Sequence, residues 1–204
     1  MSLCSVFHPL GAICSTAKAG GAHYIESLLE WPAVASDRDV LAMVSSARRW
    51  WESVGSVATE VAGLRAEHNY VRYVPCANVL VVVDDDVPSS VRTAVESLTR
   101  LAGIAVSWMD AQDTAQSANA RSLEHELRSS RIERVRWLAS SSPSPETVAL
   151  LLTHGVTLDR RTVTVRGDVE LPRWLKEQSV SITNHRHGNV GAGPRVKVPH
   201  SLSV

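Results

Sequence analysis

The 204 residues carry 21 Lys+Arg against 21 Asp+Glu, and 44% of them are hydrophobic. That length suits one or two small domains, and the balanced charge sets up no net field to recruit nucleic acid or a membrane surface. Three unpatterned cysteines, Cys4, Cys14 and Cys76, with no Cys-x-x-Cys, argue against a disulfide framework or a thiolate zinc site and point to reduced thiols in a cytoplasm.

No apolar run approaches the ~18 residues of a membrane span. Residues 1–14 lack the basic start and long apolar core of a secretion signal. The first recognisable stretch is Ser15-Thr16-Ala17-Lys18-Ala19-Gly20-Gly21-Ala22-His23-Tyr24-Ile25. Adjacent glycines let a ligand approach the main chain, and hydroxyls, amide N–H groups and a lysine can hold a carboxylate. Loops of this composition are more often only loops.

Residues 23–54 read as helical. Ile25, Leu28 and Leu29 lie at helical spacing, and Pro32 interrupts after Trp31. Ser36-Asp37-Arg38-Asp39 is an N-cap with an acidic first turn. Val40, Leu41, Val44, Ala47 and Trp51 then mark one face. Trp50 and Trp51 point about 100° apart on a helix, so one can pack inward while the other covers a partner. Two core-edge tryptophans are the simpler expectation. Residues 55–63 read as a linker.

From about residue 68 strands and helices alternate. Val79-Leu80-Val81-Val82-Val83 is a continuous run ending in Asp84-Asp85-Asp86, as in a strand buried on both faces of a parallel sheet. A helix follows from Pro88 to about Leu101, with Val91, Val95, Leu98 and Leu101 inward and Gly103 as terminator. Strand 104–109, a loose polar stretch at 111–120, helix 123–129 and strand 135–138 come next. Helix 145–154, strand 162–165, helix 171–178 and a terminal strand 180–183 complete the pattern. The alternation predicts an α/β fold, a three-layer domain with a mostly parallel sheet, preceded by an N-terminal loop and a helical segment. The expected organisation is a loop at 1–22, a helical segment and linker at 23–62, the α/β domain at 63–183 and a polar tail at 184–204.

The sequence offers little catalytic apparatus. Asp84-Asp85-Asp86 lies where α/β folds place ligand groups, but Ala139-Ser140-Ser141 stands where a phosphorylation receiver needs its acceptor aspartate. The three carboxylates are expected to cap the following helix. His185-Arg186-His187 lacks a third metal ligand nearby, since zinc takes three or four, and reads as a solvated tail. No Gly-x-Ser-x-Gly elbow and no Gly-x-Gly-x-x-Gly after a strand is present.

Three segments carry a family resemblance. Gly11-Ala12, Ser15-Thr16, Lys18-Ala19-Gly20-Gly21, Tyr24 and Trp31 resemble the aldehyde anchor loop of the L-glutamate-γ-semialdehyde (Δ1-pyrroline-5-carboxylate) dehydrogenases of the aldehyde dehydrogenase superfamily. Here Ala12 replaces a glycine, the Ser15–Lys18 spacing is shorter, and Ala22 replaces a proline. Gly63-Leu64-Arg65-Ala66-Glu67-His68-Asn69-Tyr70-Val71-Arg72-Tyr73-Val74-Pro75 resembles a segment of the bifunctional proline dehydrogenase/semialdehyde dehydrogenases. Trp174 to Thr183, followed by His185-Arg186-His187-Gly188-Asn189, is similar to the terminus of the actinobacterial forms.

The resemblance implies a place in proline catabolism and a C-terminal position in a larger enzyme, whether as truncated product, decayed gene or separate subunit. In the complete enzyme a thiolate attacks the aldehyde, hydride leaves to NAD, and water releases glutamate; FAD serves the proline dehydrogenase half. By resemblance Ser15, Thr16, Lys18, Gly20 and Gly21 hold the carboxylate of glutamate semialdehyde. The catalytic cysteine, the water-activating glutamate and the nucleotide-binding half have no counterpart in this chain, so on its own it is expected to be inactive and to take no cofactor. The alternative is a non-catalytic α/β interaction module. Leu28, Leu29, Trp31 and Trp51 are the expected surface for self-association or a partner protein, and no nucleic acid or membrane partner is expected.

Overall fold

A computed structural model describes residues 5–6, 36–64, 67–115, 117–183, 185–186 and 189–190. In chain order the elements are β1 (Ser5–Val6), α1 (Asp37–Trp50), a π-helical turn (Trp51–Gly55), β2 (Thr59–Glu60), β3 (Glu67–Pro75), β4 (Asn78–Val83), α2 (Ser89–Leu101), β5 (Ala105–Asp110), α3 (Ala111–Ala115) and α4 (Ser117–Ser129). Then follow β6 (Arg134–Trp137), α5 (Pro145–Thr153), β7 (Thr157–Asp159), α6 (Gly167–Glu170), a 3-10 turn (Leu171–Trp174), β8 (Leu175–Thr183), β9 (His185–Arg186) and β10 (Asn189–Val190).

The α/β expectation holds. Strands β5-β4-β6-β7 form a four-stranded sheet in which every pairing is parallel. The central strand is β4, whose Leu80, Val81 and Val82 are fully buried. Its alternate side chains feed two cores, because successive residues of a strand point to opposite faces. Val79, Val81 and Val83 pack with α1 and α2; Leu80 and Val82 pack with Leu123 and Leu127 of α4 and Leu151 of α5. Helices on both faces are what a parallel sheet requires, since its crossovers leave neither face to water.

Helix α1 starts where its cap predicts: the Ser36 N–H and hydroxyl both donate to Asp39 Oδ2 at 2.8 Å. Its buried stripe is Val40, Met43 and Ala47, while Leu41 is 67% exposed. The expected face is therefore rotated, with Met43 at the contact instead of Leu41. Helix α6 crosses it very closely. The Gly167 N–H donates to Ser46 Oγ at 2.8 Å, and a Cβ on Gly167 would stand 2.7 Å from the Ala47 Cβ.

The second sheet is antiparallel, ordered β1-β8-β3-β2. Its spine is a ribbon in which β3 and β8 pair over nine residues each, from Glu67 with Thr183 to Pro75 with Leu175. Five local expectations fail. The helix expected at 171–178 is a single 3-10 turn followed by β8. The stretch 162–165 forms no extended strand, only an isolated β-bridge at Thr164: Val163 and Thr164 are buried, and the Thr164 N–H donates to Glu170 Oε2 at 3.0 Å. The third crossover ends at β7, three residues not foreseen as a strand. The polar stretch after β5 is helical as α3 and the start of α4, and β2 lies inside the stretch read as linker.

Candidate functional site

The anchor-loop residues Ser15, Thr16, Lys18, Gly20 and Gly21 lie outside the described residues, as do Leu28, Leu29 and Trp31. Trp51 is half-buried and packs, with Trp50, against the core under α1. Trp50 also meets Tyr73 edge-on, with ring centroids 5.1 Å apart.

The place where α/β sheets normally hold ligands is the crevice beyond the carboxyl ends of the strands, where strand order reverses. Here that point lies between β4 and β6, since α2 leads from β4 to β5 on one side and α5 leads from β6 to β7 on the other. The crevice is bridged by the protein itself. Asp84 Oδ2 accepts both the N–H and the hydroxyl of Ser140 at 2.6 Å. Those donors hold the Asp84 carboxyl below its usual value. The acidic run therefore does not cap α2: the N-cap is Pro88, without a side-chain bond. A turn of three carboxylates with no glycine is also a poor cradle for a phosphate, which seeks free backbone N–H groups.

Beside β6 lies a buried ion cluster that the sequence reading missed. Arg136 has no exposed surface. It donates to Asp159 Oδ2 and to Glu170 Oε1, each at 2.7 Å, and its guanidinium lies 5.1 Å from the centroid of the Trp174 ring. Trp174 Nε1 donates to the same Glu170 oxygen at 3.0 Å, while Arg173 donates to Oε2 at 3.1 Å. Burial pushes the Asp159 carboxyl up, but hydrogen bonds from Arg161 and the charge of Arg136 outweigh it and hold the group far below the usual carboxylate range. Each charged group here has an ion-pair partner, as burial demands, though the buried Arg136 Nε–H has no hydrogen-bond acceptor among the described residues. The only sequence signal was an arginine between two buried residues of a strand.

A cavity of about 920 Å³ opens along the free edge of β7 and the start of β8. Arg131, Arg134, Arg161 and Lys176 line it, together with Glu133 and Asp159. Lys176 Nζ donates to both Glu133 oxygens, at 2.7 and 2.8 Å. Burial acts to raise Glu133, but Lys176 and the Ala77 N–H keep its carboxyl below the ordinary value. Cys76 also lines the cavity; burial pushes its thiol up, which opposes the thiolate a nucleophile needs. Among the described residues no group of three or more His, Cys, Asp or Glu could hold a metal ion.

Two of the three segments that resembled one family meet in space. Residues 67–75 and 175–183 are the two strands of the ribbon. Arg72 Nε donates to Gln178 Oε1 at 2.6 Å, and the Ser181 hydroxyl donates to Asn69 Oδ1. The chain is similar in fold to part of proline utilization A (PutA) from Corynebacterium freiburgense. The TM-score is 0.52 at 24% identity, over 83% of this chain and 18% of that one. This chain thus spans about a fifth of that protein's length. No family model and no curated protein matches it. Among the described residues no helix is long and apolar enough to cross a membrane.

Proposed function

We propose that this chain is a non-catalytic α/β module of a proline-catabolic enzyme of the PutA kind, docked beside a glutamate-semialdehyde dehydrogenase. The observation that carries this is the bridged crevice. In a fold similar to part of a PutA, the position a dinucleotide would need is taken by the Asp84–Ser140 contact and edged by Asp85 and Asp86. NAD and FAD then belong to the catalytic portions of such an enzyme. Ser15, Thr16, Lys18, Gly20 and Gly21 would contribute a carboxylate anchor for glutamate semialdehyde at the junction, in a cytoplasmic setting. Leu28, Leu29, Trp31 and Trp51 would face the partner or a second copy.

Purified alone, the chain should give no NADH from NAD and glutamate semialdehyde and no heat on titration with NAD. Mixed with the dehydrogenase portion of a PutA, it should sediment as a complex. NADH formation lost on changing one cysteine would overturn the non-catalytic reading. A chain that stays monomeric at high concentration, alone and in the mixture, with Trp31 and Trp51 quenchable by iodide, would overturn the docking reading.

A further inference from the structure

Three helix-to-strand turns lie at the amino-terminal edge of the parallel sheet, and each passes through a left-handed residue. After α2 it is Gly103 (φ 67°), after α5 it is Gly155 (φ 66°), and after α4 it is Arg131 (φ 48°). Glycine adopts this conformation freely, and a Cβ makes it strained. Arg131 is the one non-glycine residue at positive φ among the described residues. Such strain persists where a side chain is needed in a set place. Arg131 is exposed and lines the 920 Å³ cavity, a volume within the range of small-molecule sites.

The charges around that cavity do not cancel locally. Glu133 is occupied by Lys176, and Asp159 by Arg136 and Arg161. Arg131, Arg134 and Arg160 also line it and form no ion pair among the described residues; Arg160 donates to the Ser142 hydroxyl, and Arg134 to the Arg173 carbonyl. Against these three guanidinium groups stands one carboxylate without an ion pair among the described residues, Glu177. The ends of α4 and α5 add partial negative charge, about half an elementary charge each, which leaves the cavity positive. We propose that it binds a small dianion, a phosphate ester or a dicarboxylate, with Arg131 and Arg134 as the guanidinium forks. Guanidinium matches both anions through paired N–H donors. This site is independent of the docking function, and either can fail without the other.

The full chain is titrated with phenyl phosphate in one arm and succinate in the other, with sodium chloride at matched ionic strength as reference. Binding should raise the melting temperature with either or both anions beyond the chloride effect. Phenyl phosphate alone would assign a phosphate ligand, and succinate alone a dicarboxylate one. Arg131→Gly should melt higher than the parent without ligand, because the strain is relieved, yet bind about tenfold more weakly or worse. Arg134→Gln should weaken binding without that gain. No stabilisation by either anion, or an Arg131→Gly protein that binds as tightly as the parent, overturns the proposal. So does an Arg131→Gly protein that melts lower than the parent, since Arg131 would then be serving only as the helix cap.

Discussion

In the parallel sheet, β4 is buried at every position but its first residue; in the antiparallel ribbon, all nine residues of β3 are only half-buried. Strand β8 has one buried residue, Leu175, and exposes Ser179, Ser181 and Thr183. The first sheet is held by apolar burial on both faces, at about 1.5–3 kcal/mol for each large side chain buried. The ribbon relies on its backbone ladder and on cross-strand pairs such as Arg72–Gln178, which contribute roughly 0.2–1 kcal/mol each. Damage should therefore be costly beside the parallel sheet and mild in the ribbon.

The largest effect is expected at the ion cluster. Arg136→Ala leaves Glu170 and Asp159 buried without their main cation and should lower stability by about 3–5 kcal/mol, measured by urea unfolding. A loss below 1 kcal/mol would mean that water reaches the cluster. Next comes Gly167→Ala. The added methyl meets the Met43 carbonyl and Ala47, both on the backbone-rigid α1, and should cost about 1–3 kcal/mol or more. A neutral outcome would show that α6 shifts freely on α1.

The contrast also has a pH dependence. The Asp159 carboxyl is depressed in the folded chain. Its contribution is complete above the unfolded value near 3.9 and is lost as pH falls toward the folded one. Stability should decline from about pH 5 downward, and Asp159→Asn should flatten that decline while lowering stability at neutral pH. An unchanged slope in the variant would place the acid sensitivity elsewhere. The smallest effect belongs to the ribbon: Arg72→Ala removes one half-exposed hydrogen bond and should cost less than about 1 kcal/mol. Amide exchange should be faster at residues 179–183 than at 79–83. Ribbon variants as damaging as Arg136→Ala would erase the distinction between the two sheets.

Legibility follows the same division. The run Val79–Val83 announced a doubly buried strand because both of its faces need apolar residues. Helices α2 and α5 were readable from spacing and from Pro88, Pro145 and the terminal glycines, whereas the Ser144 cap of α5 shows only in the structure. Strand β8 was not readable. Leu171, Trp174, Leu175 and Gln178 stand at helical spacing, but β8 is set by its pairing with β3, about a hundred residues earlier. The alternation at residues 162–165 suggested a strand, yet the Glu170 carboxylate takes the N–H that a ladder would use. The family-like segments were visible in the sequence, but their meeting in one ribbon was not.

The sequence by itself determined the alternation of strands and helices, the identity of the central strand, the cap of α1, and the absence of a glycine-rich turn after β4. Those features depend on neighbours within a few residues, through side-chain period, proline and glycine chemistry, and capping. Only the tertiary structure decided that Asp84 bridges to Ser140, that Arg136, Asp159 and Glu170 share one buried cluster, and that Arg131 occupies a turn where its two counterparts use glycine. Charged residues look alike in a sequence whether they meet water or one another. Which they meet is set by contacts between chain segments 23 to 56 residues apart, which no local pattern records.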